Sequence, residues 1–261
     1  MSPSGRDVVL AVDVHNVHTQ IGLFEGDDLV EVWRLGTEAE ETADVLAADL
    51  NGLLATRSLG LGDIDGSIVS TTVPDLVRTW PEMAERYLAR PMLVVGPGLK
   101  TGMPIRIEHP GELGSNRLVN AVAAHRRIGG AKVAVDFSTA TAFDIVSSGG
   151  EYLGSVFAPG IDLSFETLVA RAARLPPATI GQPGAAIGTT TVDALNSGTV
   201  YGAAGLCDGI VRRILDEMDE DTTVIATGSR AAFIAGLCET IDIVAPNLTL
   251  EGLSIIHARN R

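Results

Sequence analysis

Val8-Val9-Leu10-Ala11-Val12-Asp13 and Lys132-Val133-Ala134-Val135-Asp136 are two copies of one pattern, an apolar run that ends on an aspartate. Such a run, rich in β-branched residues, is the composition of a strand buried on both faces. The two aspartates stand 123 residues apart. A small, polar turn follows each: His15-Asn16-Val17-His18-Thr19 in the first copy, Ser138-Thr139-Ala140-Thr141-Ala142 in the second. Each copy continues with a second strand (Ile21 to Phe24; Phe143 to Val146), a glycine turn (Gly26; Gly149-Gly150) and a third strand. This period is too long for a solenoid. It predicts two related lobes, residues 1–125 and 126–261, each a β-meander followed by helices in one duplicated α/β fold.

The rest of the chain fits that frame. Glu38 to Leu54 has helical spacing, with Thr37 as the expected N-cap and Glu40 completing a capping box. Further helices are predicted over 76–90, 113–128, 162–173, 191–218 and 248–259, and from about Arg230. Strands are expected over 66–73, 92–95, 152–159, 223–227 and 241–244. Gly198, Gly202, Gly205 and Gly209 suggest close packing along the longest helix, within the chain or at a subunit interface.

Among 261 residues, 33 are acidic and 19 basic, a net charge of −14. A nucleic-acid partner is not expected, because no Lys/Arg cluster is present to displace counterions from phosphates. A polybasic membrane-surface protein is excluded on the same ground. No apolar run approaches the roughly 20 residues that span a bilayer. The N-terminus lacks the apolar core of a secretory signal, so a cytoplasmic location is expected. Cys207 and Cys238 read as buried free thiols.

A carboxylate at the end of a buried strand, beside a turn of N–H and hydroxyl donors, can hold hydrated Mg²⁺ next to phosphate oxygens. Two such units suit a triphosphate, and phosphoryl transfer needs little beyond position, metal and charge neutralisation. The plain alternative is that Asp13 and Asp136 are turn carboxylates. Lys100, on the Gly-rich loop Gly96 to Gly102, is either a phosphate or substrate contact or a solvated loop charge. His15 and His18, with His109, could form a transition-metal site, though H-x-x-H alone lacks further ligands at known spacing.

The motifs Asp13-x-x-Asn16-x-x-Thr19 and Asp136-Phe137-x-Thr139-Ala140-Thr141-x-Phe143-Asp144 resemble those of the acetate and sugar kinase/Hsp70/actin superfamily. Within it the chain is similar to type III pantothenate kinases. Gly96 to Gly102, Arg117 to Ala124, Ala158-Pro159-Gly160 and Ser197-Gly198 with Tyr201-Gly202 also match, in family order. The resemblance implies ribonuclease-H-like (actin-like) lobes with a cleft between them, ATP and Mg²⁺ as cofactors, and a homodimer. It implies that Asp13 acts through Mg²⁺, with Asn16, His18, Thr19 and Gln20 at the first phosphate turn, and Thr139 and Gly228 near ATP. It places Gly114, Ser115, Asn116 and Arg117 at pantothenate, with Arg117 on its carboxylate. Ile107 takes the place of a substrate-wall tyrosine, Thr191 reaches substrate, and Asp136 takes the position of a monovalent-cation ligand, K⁺ or NH₄⁺.

The departures bear on the chemistry. The family usually reads Gly-Ala-Asp-Arg where this chain has Gly114-Ser115-Asn116-Arg117, so an amide stands where the presumed base would be. His15 replaces a glycine that allows positive φ and close phosphate approach. Ser138 replaces another glycine, Ile107 a tyrosine, and Thr189-Thr190-Thr191 a Lys-Asn-Thr. Two functions follow. One is an ATP-dependent small-molecule kinase acting on pantothenate or a related hydroxylated acid. The other is a diverged homologue that binds a nucleotide or ligand for regulation.

Overall fold

The structure, a computed structural model, describes residues 7–172 and 175–261. β1 (Val8–Val14) is buried at every position, and its sequence is apolar without alternation because helices cover both faces of its sheet. Val8, Leu10, Val12 and Val14 enter one core with Leu46, Leu50, Trp80 and Met83. Val9, Ala11 and Asp13 point to the opposite face. β1 runs antiparallel to β2 (His18–Glu25), and β2 to β3 (Asp28–Gly36). On its other edge β1 pairs parallel with β4 (Gly66–Thr71), and β4 with β5 (Met92–Val94), giving the order β3-β2-β1-β4-β5. The crossovers are α1 (Ala43–Ala55) and α2 (Leu76–Met83). Beyond β5, a loop leads to α3 (Ser115–Arg127).

The second sheet repeats the first. β6 (Ala131–Phe137), β7 (Ala140–Val146) and β8 (Tyr152–Pro159) form the antiparallel meander. α4 (Ile161–Arg171) and α5 (Thr191–Glu217) lead to β9 (Thr222–Thr227), parallel to β6. α6 (Ala231–Ile234) leads to β10 (Ile243–Val244), parallel to β9. The order β8-β7-β6-β9-β10 matches strand for strand. Asp13 lies opposite Ser70 of β4, and Asp136 opposite Thr227 of β9, so the two aspartates occupy equivalent places. The fold is α/β with duplicated ribonuclease-H-like, actin-like lobes.

One compact unit comprises the chain through Met103, with Glu108–Ala123 and Leu248–Arg261; the other comprises Pro104–Ile107 and Ala124–Asn247. The last helix, α7 (Leu248–Arg259), thus belongs to the first unit rather than to the half that sequence order suggests. Its seat is prepared by small residues. Ala11 and Gly22 face each other across β1 and β2, and a Cβ on Gly22 would stand 3.1 Å from Leu250 Cδ1. Gly252 lets α7 cross α3 closely, since a Cβ there would meet the Val119 carbonyl oxygen at 2.4 Å.

Some local expectations are corrected. α1 begins at Ala43, and its N-cap is Thr42, whose hydroxyl accepts from Val45 N–H. Thr37 cannot cap it, because its hydroxyl is bonded to that of Thr19 (2.8 Å) and its N–H donates to the Val17 carbonyl. Among the described residues, nothing lies within 4 Å of a Cβ built on Gly198, Gly202 or Gly205, so no neighbouring element presses on those glycines. Ala173, the expected last residue of the helix before the Pro-rich loop, and the N-terminal segment 1–6 lie outside the described residues.

Candidate active site

In the first unit, the site starts from the end of β1. Asp13 is 1% exposed. Its Oδ2 lies 2.8 Å from His15 Nε2, while its Oδ1 is buried without a hydrogen-bond partner. A buried orphan oxygen is costly. It fits the carboxylate oxygen that a hydrated Mg²⁺ would engage. The following turn is a tight hairpin closed by His15 N–H on the His18 carbonyl (3.0 Å), with Asn16 and Val17 exposed at its tip. Among the described residues, only Ser58 and Ala89 are non-glycine with positive φ. The turn therefore accepts His15 without backbone strain, and the expected conformational cost of losing glycine does not arise.

His18 is exposed at the start of β2. Partial desolvation, with Arg34 and His15 nearby, holds its pKa below the ordinary histidine value. Thr19 is buried and spends its hydroxyl on Thr37, while Gln20, opposite Asp13, is half-buried.

The N-terminus of α3 docks against the same strand ends. Ser115 Oγ accepts from Ser70 Oγ (2.9 Å) and donates to the Thr71 carbonyl (3.3 Å), which anchors the helix start to β4. Asn116, next in sequence, is 8% exposed, and its Nδ2 lies 3.5 Å from His15 Nδ1. Arg117 is half-buried one residue further on. Gly114 has room for a side chain, with nothing nearer than 3.8 Å to a built Cβ. Lys100 is exposed, but its loop is held in place: Asn260 accepts from Lys100 N–H (3.0 Å) and donates to its carbonyl (2.9 Å).

In the second unit, the equivalent strand end is more tightly enclosed. Ser138 Oγ donates to Asp136 Oδ1 (2.5 Å). Two glycines close on the 136–139 turn. A Cβ on Gly160 would stand 2.3 Å from the Thr139 carbonyl oxygen. Gly228 has φ +93°, and its Cβ would stand 2.3 Å from Asp136 Oδ1. Thr139 itself is exposed. Arg230 and Asp162 form a two-pronged ion pair that joins the loop after β9 to the first turn of α4, and Asp162 raises the Arg230 pKa. Sequence reading did not single out this clamp. Its signal was that each partner follows one of the close-packing glycines, Gly160 or Gly228, by two residues.

Ile107 belongs to the second unit, on a segment bonded to Tyr152 of β8 through Arg106 N–H and the Pro104 carbonyl. Thr191 opens α5, capped by Thr190, and lines an apolar groove of about 470 Å³ between α4 and α5. Cys207 is buried and Cys238 half-buried, both as free thiols. The neighbouring Cys238 sulfur and burial push the Cys207 thiol up. Among the described residues, no group of three His, Cys, Asp or Glu side chains is placed to hold a metal ion, which leaves the His15/His18/His109 alternative without support. No described helix is long and apolar enough to cross a membrane.

Comparison with known proteins gives a consistent result. A family model described as type III pantothenate kinase matches residues 9–213. A type III pantothenate kinase of Streptomyces coelicolor is 46% identical over 261 residues, covering 97% of this chain and 98% of its own. One from Thermobifida fusca is 47% identical, covering 97% and 100%. Among solved structures, the ethanolamine utilization protein EutJ of Carboxydothermus hydrogenoformans superposes with a TM-score of 0.56 at 13% identity, over 98% of this chain and 92% of that one. Component A of Acidaminococcus fermentans (R)-2-hydroxyglutaryl-CoA dehydratase gives 0.56 at 12%, over 97% of each chain. At such identities these two establish the fold alone.

Proposed function

The chain belongs to the type III pantothenate kinase family, and from that we infer that it is an ATP-dependent kinase that phosphorylates pantothenate to 4′-phosphopantothenate, the first step of coenzyme A biosynthesis. The observation that carries this reading is the near-full-length match at 46–47% identity. The local geometry supports it, above all the bare buried oxygen of Asp13. In the reaction, the 4′-oxygen bonds to the γ-phosphorus as the bond from that phosphorus to the β–γ bridging oxygen breaks; ADP leaves, and the hydroxyl proton passes to water because the Asn116 amide cannot take it. Mg²⁺, when bound, neutralises charge on the phosphates.

Asp13, whose Oδ1 is buried without a partner, would hold that cation. Asn16, His18 and Gln20 contribute to the phosphate turn, with Thr19 as its internal support. Thr139 and Gly228 serve the nucleotide in the second unit, and Asp136 would hold a monovalent cation, K⁺ or NH₄⁺. Arg117 takes the pantothenate carboxylate, for which a guanidinium fork is suited. Gly114, Ser115, Lys100, Ile107 and Thr191 complete the substrate contacts. Asn116 orients the 4′-hydroxyl in place of a carboxylate base. A loose transition state asks little of a base, so turnover with an amide there is chemically reasonable. Tyr201 and Leu206 are exposed on α5, beside the groove that Thr191 lines. With the open glycine edge of that helix, they favour a homodimer. The cytoplasm is the compartment proposed.

The test is ADP release by purified protein with Mg²⁺ and ATP. Pantothenate should stimulate it, an analogue lacking the 4′-hydroxyl should not, and Asp13→Asn should lower it by roughly a hundredfold or more. ATP binding without stimulated turnover would favour the regulatory ligand-binding alternative.

A further inference from the structure

Cys207 and Cys238 are brought together by a clamp on the residues beside them. Cys207 lies in α5 with no solvent exposure, in one core with Val200, Ala204 and Val211. Cys238 follows the single 3-10 turn Ala235–Leu237, packs on the same core and stays half-buried. Next to Cys207, the buried Asp208 carboxylate accepts from the Glu239 N–H (3.0 Å), the Thr240 N–H (3.0 Å) and the Thr240 hydroxyl (2.7 Å). The backbone just beyond Cys238 is thereby fixed to the turn of α5 that carries Cys207, and the two sulfurs are in hydrogen-bond contact. We propose that Cys207 and Cys238 are a reversible redox pair, which hydrogen peroxide converts to a disulfide that ties the segment after β9 to α5.

The two thiols take different parts. The Cys207 S–H donates to the Cys238 sulfur, which holds the Cys238 thiol below the ordinary cysteine value against the opposing effects of burial and the Asp208 charge. The same bond, with burial, pushes the Cys207 thiol up. The thiolate is the reactive form, so Cys238, which is also the more exposed, is the nucleophile. Its sulfur attacks one peroxide oxygen and the O–O bond breaks. The departing hydroxide takes the thiol proton and leaves as water, and Cys238 becomes a sulfenic acid. The Cys207 sulfur then attacks the Cys238 sulfur, the S–O bond breaks, and hydroxide leaves as water with the Cys207 proton. Overall, two thiols give up two electrons and two protons, and one peroxide becomes two waters. The closed loop runs from α5 through β9, the Gly228 turn and α6, so the bridge fixes the far end of the segment that begins at that turn.

The test treats the reduced, purified protein with hydrogen peroxide, alkylates it in denaturant and reads the peptides by mass spectrometry. The expected product is a cross-linked peptide pair, lighter by two hydrogens, that joins Cys207 to Cys238 within one chain and disappears with dithiothreitol. Amide hydrogen exchange over residues 235–240 should slow by about threefold or more in the bridged form. Cys207→Ser should stop at the Cys238 sulfenic acid, captured by dimedone, and Cys238→Ser should leave Cys207 unmodified. The wild-type measurement needs neither variant to fold. Thiols that stay free, Cys238 carried on to the sulfinic acid without a bridge, cross-links between chains alone, or unchanged exchange in the bridged protein would each overturn the proposal.

Discussion

Asp13 and Asp136 occupy equivalent strand positions but have different surroundings. One oxygen of Asp13 is held by His15 and the other is bare, whereas Asp136 is approached by Ser138 and by the backbone of Gly228. Gly228 makes a sharp test of the second turn. Its positive φ and the 2.3 Å approach of a built Cβ to Asp136 Oδ1 both forbid a side chain. Gly228→Ala is expected to cost about 1–3 kcal/mol in denaturant unfolding and to weaken ATP binding measured by calorimetry. A variant with wild-type stability and affinity would show that the enclosure is unimportant. The two aspartates and Asn116 were legible in the sequence because each lies in a compact local motif. The His15–Asn116 contact was not, since it joins side chains 101 residues apart. Thr19 illustrates the opposite failure: its motif position suggests phosphate, yet its hydroxyl turns inward to Thr37.

At the scale of elements, the strands were the most readable part, because burial on both faces leaves continuous apolar runs. The start of α1 was misread because Thr37 and Thr42 are both chemically competent caps, and only the contact of Thr37 with β2 decides between them. The seat of α7 was equally hidden, since an apolar helix face does not say which sheet it covers. Its docking rests on Leu250, fully buried over Gly22. Leu250→Ala should cost about 2–5 kcal/mol, read from the urea midpoint. A loss below about 1 kcal/mol would mean that the helix contributes little to the first unit.

For the molecule as a whole, duplication explains how one pattern appears 123 residues apart with the same strand order around it. A net charge of −14 is compatible with a triphosphate substrate because turn donors, Mg²⁺ and a few cations act locally. Stability should also depend on acid through His257, buried flush against Gly66. Desolvation and Arg261 lower its pKa, only partly opposed by Asp7. The unfolded chain then binds more protons than the folded one between the two pKa values, so stability falls as pH drops through the unfolded value near 6.5 and levels off below the folded one. Thermal melts from pH 7.5 to 5.5 should show this decline, and His257→Gln should flatten it. An unchanged slope in that variant would assign the decline to other groups.

Phosphorus-31 NMR of the running reaction follows phosphoryl transfer to pantothenate itself. A new phosphomonoester signal, 4′-phosphopantothenate, should grow in step with ADP and only when pantothenate is present. ADP accumulating with inorganic phosphate alone, or an unchanged ATP spectrum, would contradict it.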